Sequence, residues 1–215
     1  MKPLFYLLLL TIVTWQRDAD ACSCISAHPQ RHFCKSDYVL KVRIRSKETL
    51  NNDVVHQTPY LMSYAVKVQK IYKLSNYKGN VTEIRTPSSS AMCGLPDFTV
   101  NEKYLVTGRF LNGKAHINLC NYWVKWSELS VLEKKTIKKY KNYCNHGCQI
   151  EQCWNHNGCQ PASGACYVPK WHYASDCYDR HGICTQRKNG KCRWMENNAF
   201  RTCSRKRKEE YYREP

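Results

Sequence analysis

Two cysteines flanking one serine, Cys22-Ser23-Cys24, follow directly on Ala19-Asp20-Ala21, and the candidate chemistry of the chain is concentrated there. Lys2, an apolar run from Leu4 to Val13 and a small-x-small triplet have the order of a secretory leader. That order is a basic start, a hydrophobic region too short to span a bilayer, and a cleavage site. Cleavage after Ala21 frees the α-amine of Cys22. Such an amine has a pKa of about 7.7–8.0, so a useful fraction is uncharged at neutral pH. The amine nitrogen and carbonyl oxygen of one residue can together chelate a single metal ion, and a disulfide at Cys22 makes that chelator rigid. The plainer alternative is that Cys22 is only the first half-cystine of an exported domain.

Competing chemistry is sparse. The chain carries no His-Glu-x-x-His zinc-protease motif, no Gly-x-Ser-x-Gly elbow and no glycine-rich phosphate loop. His28, beside Pro29, reads as a packed or capping residue rather than a general base. Fourteen cysteines, all from Cys22 onward, form an even set that reads as seven disulfides in an oxidising compartment. Cys144, His146, Cys148, Cys153, His156 and Cys159 have zinc-module spacing, but a leader favours disulfides over thiolate ligation. The protein therefore reads as a non-enzyme with no cofactor of its own.

The net charge of +17 belongs to the exported part, because Lys2 and Arg17 cancel Asp18 and Asp20. Such a protein should adhere to polyanions such as sulfated glycosaminoglycans. Arg205-Lys206-Arg207-Lys208, in a charged run from Arg201 to Arg213, reads as a solvated tail, with a glycosaminoglycan site as the second reading. Export argues against nucleic acid. No second apolar run approaches membrane-spanning length, and the exported chain is expected to be a soluble extracellular monomer.

The elements that must hold Cys22 come next. A short helix after Pro29 within residues 28–37 would point Cys34 toward the core. Tyr38 to Arg45 alternates, with Tyr38, Leu40, Val42 and Ile44 on one face, as a half-buried strand does. Residues 46–58 read as a polar hairpin loop. Tyr60 to Tyr72 and Val81 to Thr86 are the second and third strands, with a turn over Asn76 to Gly79. Lys103 to Phe110 and Lys114 to Leu119 form a hairpin across Asn112-Gly113. Ser130-Val131-Leu132-Glu133 is a capping box that opens a helix to about Tyr143, with Leu132, Ile137, Tyr140 and Cys144 as its buried stripe. Five strands flanked by helices predict a mainly β, partly closed antiparallel barrel of the OB type. Asn80-Val81-Thr82 is an N-glycosylation acceptor, so Asn80 should be exposed. From Cys148 on there are eight cysteines and little apolar periodicity, so this segment should depend on its cross-links. The organisation expected is a leader over 1–21, a barrel domain over 22–144 and a disulfide-rich domain with a basic tail over 145–215.

Cys22-Ser23-Cys24, His28-Pro29-Gln30 and Phe33-Cys34 resemble the mature amino terminus of the tissue inhibitors of metalloproteinases. The stretch from Thr86 to Gly94, that from Lys114 to Cys120, and Leu129-Ser130 onward are similar to the inhibitory, netrin-like domain of that family, in the same order. Ile183 to Trp194 resembles its carboxy-terminal domain. The resemblance implies Cys22–Cys93, Cys24–Cys120 and Cys34–Cys144, each worth about 4 kcal/mol in the loop-entropy model. It also implies Cys148–Cys192, Cys153–Cys159 and Cys166–Cys184. Cys177 and Cys203 are additional to the family pattern and are expected to pair with each other.

The resemblance implies inhibition of secreted zinc metalloproteinases of the matrix type. Cys22 would displace the zinc-bound water, with Zn2+ supplied by the target. Ser23 would enter the primed specificity pocket and tolerate many related enzymes. Cys24, Ile25 and Ser26 would continue along the cleft, and Ser90, Ala91, Met92 and Cys93 would fill the unprimed side. Two readings compete. One is a netrin-like matrix- or glycosaminoglycan-binding module without inhibitory activity. The other is a basic, cysteine-rich ligand acting through its second domain.

Overall fold

A computed structural model describes residues 22–50, 61–75, 77–144, 147–155, 164–195 and 197–213. The expected leader over 1–21, residues 51–58 of the expected hairpin loop, Tyr60, Asn76, His146, His156 and Cys159 lie outside the described residues.

The chain first forms helix α1 (Pro29–Lys35), with Pro29 at its first turn, where its missing N–H costs nothing. Strands β1 (Tyr38–Leu50), β2 (Leu61–Leu74) and β3 (Glu83–Pro87) follow. β4 (Lys103–Leu111) and β5 (Lys114–His116) are joined by Asn112 (φ 49°) and Gly113 (φ 73°). Two successive positive φ values make a type I′ turn, whose twist matches the strands it connects. The hydrogen-bonded order β1-β2-β3-β5-β4 closes on itself through a β1–β4 pairing, giving a five-strand ring. A sixth strand, β6 (Trp123–Lys125), pairs with β4 outside that ring.

Tyr38, Leu40, Val42 and Ile44 are fully buried inside the ring and meet Tyr64, Ile84, Phe98, Tyr104 and Val106 there. A second apolar cluster covers the outer surface of β1 and β4. Val39 and Leu105 face Phe33 of α1 and Ile137 and Tyr140 of helix α2 (Val131–Tyr140).

The structure corrects several expectations. β1 continues to Leu50, pairing as far as Leu50 with Leu61, so residues 46–50 are strand rather than loop. The third strand begins at Glu83, although Val81 still fills the barrel core. The strand after Gly113 ends at His116 rather than Leu119. In α2, Leu132 is 47% exposed, and the buried positions are Glu133, Thr136, Ile137 and Tyr140. Ser130 Oγ accepts from the Glu133 N–H at 3.2 Å and Glu133 returns a bond to the Ser130 N–H at 2.8 Å. The same carboxylate then takes Arg180 Nε at 2.9 Å, which draws Glu133 inward in place of Leu132.

Beyond Gly147, parallel strands β7 (Gln149–Cys153) and β8 (Ala165–Pro169) are followed by α3 (Ser175–His181) and the hairpin β9 (Cys184–Gln186) with β10 (Cys192–Trp194). Cys148–Cys192 and Cys166–Cys184 cross-link this region. The basic tail is not an irregular run: Asn198–Tyr211 is helix α4. Asn197 caps it by accepting from the Phe200 N–H at 2.9 Å, Cys203 is bonded to Cys177 of α3, and Phe200 lies edge-on to Tyr178 at 4.8 Å. Among the described residues, no helix is long and apolar enough to cross a membrane.

Candidate functional site

Residues 22–28 have no regular secondary structure, so their order must come from outside the local backbone. Cys22 is bonded to Cys93 (Cα–Cα 5.3 Å) and Cys24 to Cys120 (5.1 Å), which ties the tripeptide to the barrel at both ends. The sulfurs of Cys22, Cys24 and Cys120 lie within 4.8 Å of one another. All are oxidised, so this is a junction of two cross-links rather than a thiolate ligand set. Ser23 and Ser26 are exposed, and Ile25 is 90% exposed. An apolar side chain held in water on a doubly stapled segment is what a preformed docking strand presents.

The barrel side of the anchor is equally constrained. Ser90–Met92 is a single 3₁₀ turn that ends in Cys93 at φ 59°, a left-handed conformation unusual for a residue with a Cβ. The Gly94 N–H donates to the Ser89 carbonyl at 2.8 Å, and the Leu119 N–H donates to the Cys93 carbonyl at 2.8 Å. A Cβ at Gly94 would stand 2.2 Å from the Pro87 carbonyl oxygen, so only glycine lets the turn close. Ser90 and Ala91 are exposed and Met92 is 38% exposed, on the same turn as the cysteine that holds Cys22.

His28-Pro29-Gln30 has a positioning role that sequence reasoning caught only in part. His28 is 2% exposed and is the N-cap of α1, its Nδ1 accepting from the Gln30 N–H at 3.0 Å. Its Nε2 lies 2.7 Å from the Tyr178 carbonyl, so Nε2 carries the proton. Burial holds its pKa down at about 4, against a smaller upward pull from the Tyr178 carbonyl. The ring is thus neutral at physiological pH, as its acceptor role requires.

Gln30, 3% exposed, accepts from the Cys184 N–H at 2.8 Å and donates to the Cys184 carbonyl at 2.9 Å. The two bonds mimic a strand pairing with β9. Gln152 of β7 donates to the Ser26 carbonyl, and Ile183 is fully buried among α1, α2 and β1. The exposed segment is therefore seated on the barrel by disulfides and on the second region by hydrogen bonds. A motif of three residues whose partners lie more than a hundred positions away could not reveal this from its own composition.

Glu133 and Arg180 lock the same junction. Burial raises the Glu133 pKa, but hydrogen bonds from Arg180 and Ser130 outweigh it and hold the carboxyl below its usual range.

Among the remaining expected site residues, Asn80 is exposed. Cys34 is bonded to Cys144. Cys153 is buried on β7, and its expected partner Cys159 is outside the described residues. On α4, Arg207 is committed: it pairs with Asp176 at 2.7 Å and with Glu210 at 2.7 Å. Arg205, Lys206 and Lys208 form no ion pair among the described residues.

A stronger basic surface lies on the barrel. Lys41 is opposite Lys70, and Arg43 is opposite both Lys67 and Lys103. Like charges in direct register oppose sheet formation. The Lys41 ammonium sits 4.2 Å from the Trp126 ring centre and Lys134 4.9 Å from it. Burial, and then Lys103, Lys134 and Lys70, lower the pKa of Lys41.

Residues 20–194 match the family model described as tissue inhibitor of metalloproteinase. Helix α4 lies beyond that match. The chain is 32% identical over 186 residues to metalloproteinase inhibitor 4 of Mus musculus, covering 83% of this chain and 82% of the relative. It is 30% identical over 199 residues to metalloproteinase inhibitor 2 of Homo sapiens, covering 89% of each. It is 29% identical over 190 residues to metalloproteinase inhibitor 3 of Gallus gallus, covering 84% of each.

Proposed function

We propose, from the premise that the chain belongs to the tissue inhibitor of metalloproteinase family, that Cys22 caps the catalytic zinc of the target enzyme. The protein is a metalloproteinase inhibitor and not an enzyme. Secretion removes residues 1–21, and the amine and carbonyl of Cys22 then take the position held by zinc-bound water.

A catalytic zinc in such enzymes has three protein ligands and an open position for water, and it activates that water for peptide hydrolysis. Cys22 offers one nitrogen and one oxygen donor from adjacent atoms, a set zinc accepts. Bidentate capture leaves the enzyme without its nucleophile. Ser23 lies in the primed specificity pocket, where its short side chain leaves room and permits many related enzymes. Cys24, Ile25 and Ser26 continue along the cleft, and Ser90, Ala91, Met92 and Cys93 occupy the unprimed side. No peptide bond of the inhibitor crosses the metal, so nothing is presented for cleavage.

The observation that carries this reading is the double staple: Cys22 and Cys24 are each bonded to the barrel while Ser23, Ile25 and Ser26 stay exposed. A segment ordered before docking loses little conformational entropy when it binds. The test is amino-terminal sequencing of the secreted protein together with titration against the catalytic domain of a matrix metalloproteinase. The expected result is a first residue of Cys22 and one-to-one, tight inhibition by a monomer. Full potency in a form that begins elsewhere would contradict it.

A second partner class is supported by the like-charge register on the outer face of β1, β2 and β4. A sulfated glycosaminoglycan would relieve that repulsion. Arg205, Lys206 and Lys208 on α4 form a second basic cluster, while Arg207 is engaged by Asp176 and Glu210. The triple variant Lys41→Ala/Lys70→Ala/Lys103→Ala should elute from heparin resin at clearly lower salt than Arg205→Ala/Lys206→Ala/Lys208→Ala. The reverse order would return the site to the tail.

A further inference from the structure

We propose that Asn80 carries an N-linked glycan whose first sugars lie in the groove beside it and cover Val68, Ile71 and Leu74 of strand β2. Asn80-Val81-Thr82 is an acceptor triplet, and the fold leaves room for a glycan on Asn80. Val81 is buried in the barrel core, while Asn80 and Thr82 are exposed on either side of it. The Val66 N–H donates to the Thr82 carbonyl at 2.8 Å, which fixes the triplet close to β2.

Asn80 itself lines a groove of about 460 Å³, with Val68, Ile71 and Leu74 among the residues on its wall. That size falls in the range of about 300–1,000 Å³ that accommodates small ligands. The groove exists because β3 stops early. β3 pairs with β2 only from Leu61 to Ala65, and the Val66–Thr82 bond is the last in that direction. Among the described residues, that edge of β2 has no strand partner beyond Val66, and Ile71 is 55% exposed there. An unpaired edge carrying apolar side chains is an aggregation liability that exported proteins must cover. A pyranose ring has an apolar C–H face and a polar rim, so sugars rooted at Asn80 can lay that face on Ile71 and leave their hydroxyls in water.

A bond forms between Asn80 Nδ2 and C1 of N-acetylglucosamine. The bond from C1 to the oxygen of a lipid diphosphate donor breaks, the lipid diphosphate leaves, and the amide gives up one proton. Asn80 is on the β2–β3 connection and not on the Cys22 or Cys93 segments, so its modification leaves the inhibitory segment free.

The full chain, secreted from animal cells, provides the test. Intact mass should fall on treatment with peptide N-glycosidase. Asn80→Gln and Thr82→Ala should lack the glycan, and Thr82→Ser should keep it. Seating in the groove is read separately by melting temperature and by amide exchange over residues 67–74, with unglycosylated Asn80→Asp as the matched reference for the enzyme product. Removal of the sugars should lower the melting temperature by several degrees and speed exchange over 67–74 about tenfold, leaving inhibition unchanged. An unaltered mass overturns the modification. A lost glycan with unaltered melting and exchange overturns the seating.

Discussion

One residue added before Cys22 should raise the inhibition constant against a matrix metalloproteinase by about 10³-fold or more, roughly 4 kcal/mol. Extension turns a basic amine into an amide whose nitrogen has no available lone pair, and it places an extra residue where the metal should be. Chemical acetylation of the Cys22 amine should do the same without adding a side chain. The fold should not notice either change, because Cys22 remains bonded to Cys93 and the barrel core lies elsewhere. An unchanged melting temperature with lost inhibition is therefore the expected pair. Inhibition that survives extension would leave the cleft contacts of Ser23 to Ser26 and of Ser90 to Cys93 as the whole of the binding and remove the metal from the mechanism.

Replacing the second staple should be almost as costly, for a different reason. In Cys24→Ser/Cys120→Ser the Cys22 donors are intact, but the segment after them is released. The lost cross-link spans 96 residues, worth about 4–5 kcal/mol in the loop-entropy model. At about 2–4 °C per kcal/mol for a chain of this size, melting should fall by roughly 8–20 °C. Inhibition should weaken as well. Ordering even two freed residues on docking costs about 1–2 kcal/mol each, which corresponds to roughly 30-fold to 10³-fold in affinity. Residual tethering by Gln152 to the Ser26 carbonyl limits that loss. Equal inhibition by the double variant, measured well below its melting temperature, would show that rigidity of the segment is not what makes it bind.

The barrel was legible because each of its strands carries local signals. Tyr38, Leu40, Val42 and Ile44 alternate over a length that only a strand explains, and Asn112-Gly113 names its own turn type. What escaped depends on distant partners. β6 is three residues long and is a strand only because β4 lies beside it. α4 buries a single side chain, Phe200, so it has no apolar stripe to announce it; its cap, its disulfide to α3 and the Arg207–Asp176 pair hold it in place. Leu132 outranks Glu133 on hydrophobicity, yet Glu133 is the buried residue because Arg180, 47 residues away, neutralises it there.

The candidate site divides the same way. Spacing and the expected leader marked Cys22 only as a candidate, and its role came from the resemblance of Cys22-Ser23-Cys24, His28-Pro29-Gln30 and Phe33-Cys34 to the inhibitor family. The seating of His28 and Gln30 on the Tyr178 and Cys184 backbone could not, since side chain-to-backbone bonds leave no pattern in the partner's sequence. The two regions expected as separate domains accordingly share Ile183, the Glu133–Arg180 pair and the Gln30 bonds, so the exposed segment rests on both.

The most direct test is a high-resolution structure of the processed protein bound to a metalloproteinase catalytic domain. The account expects the Cys22 nitrogen and carbonyl oxygen both at zinc-ligand distance, about 2.0–2.2 Å, with no solvent ligand left on the metal. A zinc that keeps its water, with Cys22 held away from it, would contradict the account.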